Sequence, residues 1–289
     1  MLKKLLFIAI NSYFLTSCIT FKKWYYQPSV PSRPFIAKSS QELMKEMHNM
    51  DEYHREIFLL NEFKRGNIPD FLREFQTVKV RKRFSSGKTV TGKLWVSPDY
   101  LALGDDSNYI RFPMNPITAQ KIADRYDCIL PTQKIVDLIY RQADTKLKPI
   151  TFRPGPKMVR TSQYFRHNRA IQRQLLKRKK GKLIAGHKKD LVISNRLLRK
   201  KKRVAIYGWH RPNGKAIQPL STIHGDYYAD YSHGVRLVYE RMEINGKMVP
   251  IADVLKDPSL ASVISYEGVI KNVRYPTEDS WSRKLWFPK

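Results

Sequence analysis

The sequence predicts an α+β fold, with a mostly antiparallel sheet, helices packed on one side of it and a helix at the N-terminal end. Alternating apolar and polar residues over 77–96 surround the turn SSGK at 85–88, a pattern typical of a β-hairpin. The pairs Asn213-Gly214 and Asn245-Gly246 indicate two further hairpins. Apolar residues at helical spacing before and between these strands supply the α part.

The N-terminal helical part is predicted over residues 39–75, and the main body over 76–289. Ser39 and Glu42 have the spacing of a capping box, and apolar residues recur at helical spacing as far as Lys64. Gly66 is a suitable residue to end this helix. One continuous helix from Ser39 to about Lys64 is therefore expected.

The main body is predicted to contain further helices and short strands. Helices are expected over 116–126, 131–144, 161–180, 251–256 and 259–265, and strands over 100–103, 109–112, 183–185, 191–194 and 204–209. Proline at the first position favours the first two of these helices, and Gly181 follows the basic end of the third.

The composition is that of a folded and very basic protein. The chain has 289 residues, and its 42% hydrophobic content is enough for a packed core. Its formal charge of +29 points to polyanionic surroundings, namely nucleic acid, anionic lipid headgroups or acidic cell-wall polymer. Charge alone does not choose among these three.

The first 18 residues predict export and lipidation. Lys3 and Lys4 precede an apolar stretch over 5–15, which suits a signal peptide and is too short to span a bilayer. The sequence LTSC at 15–18 follows, and it resembles the lipobox of bacterial lipoproteins. This resemblance implies a signal peptide at 1–17 that is removed, and acyl groups such as palmitate on Cys18.

The expected location in the cell envelope narrows the set of partners that the positive charge indicates. Loss of Lys3 and Lys4 lowers the charge from +29 to +27, and a protein anchored by lipid to the outside of a bacterial membrane does not meet the genome. Nucleic acid therefore drops out as a partner, and the membrane and anionic cell-wall polymer or lipid remain. Residues 18–38 are predicted to be a lipidated tether, and 39–289 a single α+β domain. Cys128 has no intrachain partner, so it is expected to be buried and inert, with a nucleophilic role as the alternative.

Two stretches concentrate side chains that titrate or bind metals. One is GHKKD at 186–190, and the other is the tyrosine-rich sequence IHGDYYADYSHGVRL at 223–237. The candidate catalytic residues are His187, Asp190, His224, Asp230, His233 and Arg236. Sites built on such loops depend on the fold to bring the two stretches together.

A metal site is one interpretation, with zinc as the candidate cofactor. Zinc needs about three imidazole or carboxylate ligands that converge. The candidate ligands are His187, His224, Asp230 and His233. The run from Ser221 through His224 to Asp230 is similar to part of the zinc D-Ala-D-Ala peptidase motif, with the His-to-Asp interval one residue short and no matching downstream Glu-x-x-His.

A second interpretation comes from the sequences Ile223-His224-Gly225 and SHGVRL at 232–237. Together they resemble the motif of the L,D-transpeptidases, an upstream His-Gly followed by Ser-His-Gly-Cys-x-Arg. The resemblance implies a cysteine nucleophile, but Val235 stands at that position, and the two halves lie closer together than is usual in that family. Thioester chemistry through this loop would therefore need another thiol.

A third interpretation is a general acid/base pair, in which Asp190 or Asp230 orients an imidazole and Arg236 holds an anionic substrate. The function expected from these observations is a membrane-anchored envelope lipoprotein with a His/Asp hydrolase-like site that acts on cell-wall or other anionic polymer. The alternative is a non-catalytic lipoprotein that binds anionic glycan or lipid through its basic surface. The segment 100–238 is also similar to a group of exported bacterial proteins, which implies one domain over this range and nothing about mechanism.

Overall fold

The structure is a computed structural model, and it describes residues 28–176 and 181–277. The helices are α1 (Ser40–Met47), α2 (Glu52–Lys64), α3 (Pro116–Arg125), α4 (Gln133–Gln142), α5 (Thr161–Leu175), α6 (Arg196–Arg199) and α7 (Ile251–Lys256), with 3-10 turns at Asp70–Arg73, Pro156–Val159 and Ala261–Val263. The strands are β1 (Gln76–Arg83), β2 (Thr89–Val96), β3 (Ala102–Gly104), β4 (Tyr109–Arg111), β5 (Cys128–Ile129), β6 (Thr145–Lys146), β7 (Ile184–Ala185), β8 (Lys189–Leu191), β9 (Ile206–His210), β10 (Ala216–Ser221), β11 (His233–Gly234), β12 (Val238–Tyr239), β13 (Arg241–Ile244) and β14 (Lys247–Pro250). The predicted α+β class is confirmed.

Four of the sequence predictions fall wholly or partly outside the described residues. These are the signal peptide at 1–17, the acylation of Cys18, the tether over 18–38, whose residues 18–27 are not described, and the end of the helix expected over 161–180, whose residues 177–180 are not described.

The N-terminal helical part consists of two helices, so the prediction of one continuous helix was wrong. The capping box is present as expected, since the Ser39 hydroxyl accepts from the Glu42 amide and the Glu42 carboxylate accepts from the Ser39 amide. The chain leaves the helix after Met47, and Asp51 begins α2 as a second N-cap by accepting from the backbone N–H of His54 at 2.8 Å. A carboxylate that satisfies the first free amides of a helix stabilises a new start at that point.

A six-stranded sheet is arranged around β2. This strand pairs with β1 over eight residues in the predicted hairpin, and with β13 and then β12 at its other edge. Gly92 is required where β13 approaches, because a Cβ atom there would lie 2.0 Å from the carbonyl oxygen of Glu243. The Asn245-Gly246 hairpin joins β13 to β14 as expected.

The second sheet carries His210 and His233 on its strands. Its strand order is β10-β9-β8-β11, and the predicted Asn213-Gly214 hairpin joins β9 to β10. The short strand β11 runs parallel to β8, with His233 opposite Lys189 and Gly234 opposite Asp190. This pairing brings the GHKKD stretch and the tyrosine-rich loop side by side.

One hydrophobic core joins both ends of the described chain, from Leu43 in α1 to Tyr275 near the C-terminus. Within the described residues, no helix is both long enough and apolar enough to cross a membrane.

Candidate functional site

The tyrosine-rich loop folds back on itself and brings three of the predicted site residues together. The His224 ring stacks on the Tyr228 ring with centroids 4.0 Å apart, and the other side of Tyr228 meets His233 edge-on at 5.7 Å. The Tyr228 hydroxyl donates to Oδ2 of Asp230 at 3.2 Å. The cluster of His224, Tyr228, Asp230 and His233 is called the loop site below.

Asp230 is the fixed anion of the loop site. Its Oδ1 accepts from the backbone N–H and the hydroxyl of Ser232, at 2.7 and 2.5 Å. Burial alone would raise the pKa of Asp230, but nearby His233 and Lys189, together with the hydrogen bonds from Ser232, lower it to about 2. The carboxylate is therefore ionised at neutral pH.

His233 is fully buried, and neither of its ring nitrogens has a hydrogen-bond partner among residues 28–176 and 181–277. Its Nε2 lies 3.9 Å from Oδ2 of Asp230, which is too long for a hydrogen bond. Burial lowers the pKa of His233 to about 4, against the opposing attraction of Asp230. At neutral pH the imidazole is thus uncharged.

A stability measurement follows from this buried, neutral imidazole. The pKa of His233 is depressed in the folded chain, so acid favours the unfolded chain, and stability from this group is lost as pH falls from about 6.5 towards 4. His233→Gln removes this dependence. We expect the free energy of unfolding of the wild type to fall relative to that of His233→Gln by about 2 kcal/mol between pH 7 and pH 5. Urea unfolding of both proteins at the two pH values measures this difference, and an unchanged difference would contradict the buried neutral state.

His187 lies in a different polar cluster from the loop site. Gly186 has a φ of +98° at the turn before β8, and this turn leaves His187 fully buried. The His187 Nε2 is 3.1 Å from Oδ1 of Asp99, whose Oδ2 accepts from Nε and Nη2 of Arg111 at 2.8 and 2.5 Å. Burial lowers the pKa of His187 to about 4 despite the hydrogen bond to Asp99. The His187 imidazole is therefore engaged with Asp99, and its grouping with His224, Asp230 and His233 stays a prediction.

Asp190 and Arg236 both contact Tyr100. The Tyr100 hydroxyl donates to Oδ2 of Asp190 at 2.8 Å, and the Arg236 guanidinium lies 4.3 Å from the centre of the Tyr100 ring. Tyr100 fits here because Gly234 has no Cβ, which would lie 2.6 Å from the ring. Burial raises the pKa of Asp190 to about 6, although Arg236 and the Tyr100 hydroxyl oppose the shift.

Arg236 was expected to hold an anionic substrate, but its surroundings are those of a buried structural residue. It is fully buried, and it donates to the carbonyl oxygens of Ser97 and Ile184 at 2.8 and 2.7 Å. The side chain after Val235 points into the interior because β11 and the following residues are covered on both faces. Arg236 thus ties three chain segments together and does not meet solvent.

The metal interpretation finds no ready ligand set in the part of the chain that the structure describes. Among residues 28–176 and 181–277, no group of three or more His, Cys, Asp or Glu side chains is placed to hold an ion. His187 is bonded to Asp99 instead, and the His233 Nε2 lies 3.9 Å from Oδ2 of Asp230. His224, Asp230 and His233 remain neighbours, so zinc at the loop site stays a prediction.

Neither position available for thioester chemistry offers a reactive thiol. Val235 is fully buried within the hydrophobic core, as an aliphatic side chain in place of the transpeptidase cysteine. Cys128 is buried as expected, and its Sγ is 3.2 Å from the carbonyl oxygen of Tyr126. Burial raises the pKa of the Cys128 thiol well above its ordinary value, so it is a thiol and not a thiolate at neutral pH.

Lys188 and Lys189 are two cations at the site that the sequence interpretation missed. Lys188 is buried, it donates to the carbonyl oxygen of Tyr231 at 2.8 Å, and burial lowers its pKa to about 7. Lys189 is half-buried, with its ammonium 5.1 Å from the centre of the Trp209 ring. The signal that could have found them is the GHKKD sequence itself, in which two lysines follow the candidate histidine between two strands.

A second histidine and carboxylate pair lies at a separate surface pocket. His210 Nε2 is 3.0 Å from Oδ1 of Asp137, which also accepts from the Tyr207 hydroxyl at 2.9 Å. The pocket has a volume of about 410 Å³, with Arg141 and Lys146 in its wall. Because His210 and Tyr207 are both hydrogen-bonded to Asp137, the polar groups of this pair already have partners. It shares no side chain with the loop site.

Comparison of the chain with protein-family models, with curated proteins and with solved structures gave no match in any of the three. The function therefore has to be argued from the geometry of the loop site and its surroundings.

Proposed function

We propose that this protein is a membrane-anchored lipoprotein of the cell envelope, and that its loop site hydrolyses an anionic cell-wall polymer. The observation that carries the proposal is the state of His233. This imidazole is fully buried, uncharged and without a hydrogen-bond partner among the described residues, and it lies beside an ionised carboxylate. Such a group lowers the stability of the fold, and groups of this kind concentrate at functional sites.

The proposed chemistry uses three side chains of the loop site. His233 accepts a proton from the attacking water, and Asp230, 3.9 Å away, stabilises the imidazolium that forms. The protonated His233 then gives this proton to the leaving group, and His224, the most accessible of the three, is placed to contact the substrate. The water oxygen adds to the substrate as the bond to the leaving group breaks, and no redox partner is needed. The distance between His233 and Asp230 is expected to shorten when substrate binds.

The position of the basic run Lys200–Arg203 supports an anionic substrate. All four side chains are exposed, and directly after the run the Val204 N–H donates to the carbonyl of His224 at 3.1 Å. The backbone N–H of Asp226 donates to the carbonyl of Lys202, and the Arg203 guanidinium donates to the carbonyl of Ile223 at 2.6 Å. A row of cations beside the half-exposed His224 would guide a polyanion to the site.

The direct test is to incubate the purified protein with peptidoglycan sacculi and to measure soluble fragments and bound metal in the same sample. Hydrolysis without bound metal supports His233 acting on its own. Bound zinc that is lost in His224→Ala would assign the site to metal-assisted hydrolysis instead. Intact sacculi at every pH tested between 5 and 8 would refute hydrolysis of this polymer.

The alternative proposal is a lipoprotein that binds anionic polymer without cleaving it. It is favoured by the position of His187 in its own buried network with Asp99, which leaves the loop site with fewer polar groups than the sequence suggested. Binding to sacculi with no fragments released would support this function.

Either function predicts that the basic run contributes to binding. Lys200→Ala/Lys201→Ala is expected to weaken binding to sacculi at low salt by roughly fivefold, because two exposed charges are lost beside the site. The matched control is Lys79→Ala/Arg81→Ala, which removes the same charge from exposed positions on β1. A pelleting assay measures both variants. Equal weakening by both would show that only the net charge matters, and binding that is insensitive to salt would contradict the electrostatic account.

A further inference from the structure

A tight turn near the start of the described chain exposes two large apolar side chains. Phe35 and Ile36 are 101% and 91% exposed, and they are the two central residues of the turn closed by the Ala37 N–H donating to the Pro34 carbonyl at 3.0 Å. Two adjacent side chains of this size leave their apolar surface in contact with water and so contribute no burial energy to the domain. This segment, residues 34–37, is called the 34–37 turn.

Hydrogen bonds hold the turn on the domain, so the conformation of the turn fixes the exposure of Phe35 and Ile36. Arg33 donates through Nη2 to the carbonyls of Ala37 and Lys38, at 3.0 and 3.2 Å, and through Nε to Oδ1 of Asn67 at 3.1 Å. Asn67 is fully buried beneath it. One arginine thus fixes the end of the turn to the body of the protein.

The segment just before this turn is also held on the domain. Arg73 donates to the carbonyl of Pro31 at 3.0 and 2.6 Å, which pins the segment there. The Gly66 backbone also lies so close that a Cβ on it would be 2.8 Å from the same Pro31 oxygen. Residues before Pro31 connect this corner to Cys18, which is only 17 residues before Phe35. The corner that bears the exposed pair is therefore the one tethered to the predicted lipid anchor.

We propose that Phe35 and Ile36 insert into the bilayer that holds the lipid anchor and fix the orientation of the domain on it. The proposal rests on the membrane anchorage within the proposed function. The tether from Cys18 to Phe35 spans at most roughly 60 Å, so the turn always lies within reach of the surface. A second copy of the chain is the rival occupant of this apolar pair.

The test places an environment-sensitive fluorophore on Ile36→Cys in the full chain, produced in bacteria and reconstituted in phosphatidylglycerol vesicles that contain a nitroxide-labelled lipid. Labelling is selective because Cys128 is buried and because Cys18 carries acyl groups under the proposed function. The matched control carries the label on Ser86→Cys, an exposed turn position between β1 and β2. Quenching by the nitroxide lipid is expected at position 36 and not at position 86.

Phe35→Glu in the labelled chain is expected to lower the ratio of inserted to free turn by about tenfold or more, since it replaces an apolar ring inserted in the bilayer by a charge. Equal quenching at 36 and 86 would overturn the proposal. A spectral change at 36 that appears without vesicles and grows with protein concentration would assign the turn to a second copy of the chain. Two labels per chain would show that Cys18 is not acylated, a failure of the anchor that is distinct from a failure of the turn.

Discussion

Replacement of Arg111 by methionine is expected to lower the free energy of unfolding by about 3–5 kcal/mol, because it leaves the buried Asp99 carboxylate without its partner. Both side chains are almost completely buried, at 0% and 1% exposure. Burial alone would raise the pKa of Asp99, but Arg111 and the hydrogen bond with His187 hold it well below its usual range. In the variant, that carboxyl group must either remain charged in the core or bind a proton.

The same variant has a pH dependence with a definite sign. Without Arg111 the pKa of Asp99 is raised above its unfolded value, so the variant loses stability as pH rises through the new pKa. The wild type, in which this pKa is lowered, loses stability from Asp99 only as pH falls below about 3.8. The difference in stability between the two proteins is therefore expected to widen from pH 4 to pH 8.

Urea unfolding with a matched control measures these effects. Arg274→Met removes an exposed arginine paired with Asp124 at 2.5 Å, and it is expected to cost less than about 1 kcal/mol. Asp99→Asn/Arg111→Met removes both charges and keeps an acceptor for His187, so it is expected to recover part of the loss. Equal destabilisation by Arg111→Met and Arg274→Met would contradict the view that the Asp99 network organises the interior beside the loop site.

The second large effect is expected from His233→Gln, which should lower the rate of hydrolysis of sacculi by about 10²–10⁴-fold. Glutamine is close in size and can form hydrogen bonds, but it cannot accept the proton from the attacking water. Binding to sacculi is expected to remain, because the exposed basic run Lys200–Arg203 is unchanged. The combination of retained binding and lost turnover separates a catalytic role from a structural one.

The control for this variant is His48→Gln at an exposed position after α1, which is expected to leave turnover unchanged. A merely structural His233 would instead produce a variant with lowered stability and a normal rate per folded molecule. Far-UV circular dichroism and a urea titration of both variants establish the folded fraction. An unchanged rate in folded His233→Gln would remove this residue from the chemistry.

The sequence predicted the parts of the structure that depend on neighbouring residues. The three hairpins follow from two-residue periodicity and from turn residues, and all three form. The break between α1 and α2 was missed because the apolar spacing continues across it. The deciding feature is the Asp51 carboxylate, which starts a second helix at a point where periodicity alone gives no stop.

The candidate site was predicted in part for the same reason. His224, Asp230 and His233 lie within ten residues of one another, so one loop can bring them together. The contact of His187 with Asp99 was missed because Asp99 lies 88 positions away in the chain and nothing local indicates it. Arg236 was expected to face substrate, but the side chains that follow β11 are enclosed, and burial of this kind depends on the whole fold.

The most direct measurement is hydrolysis of peptidoglycan sacculi in water enriched in oxygen-18, with mass spectrometry of the released fragments. Water is the proposed nucleophile and His233 its proton acceptor, so the wild type is expected to place one labelled oxygen in the product of each cleaved bond. Folded His233→Gln is expected to release no labelled fragments above background. Sacculi that are bound by the wild type and recovered intact, with no label incorporated, would contradict the hydrolytic function of the loop site.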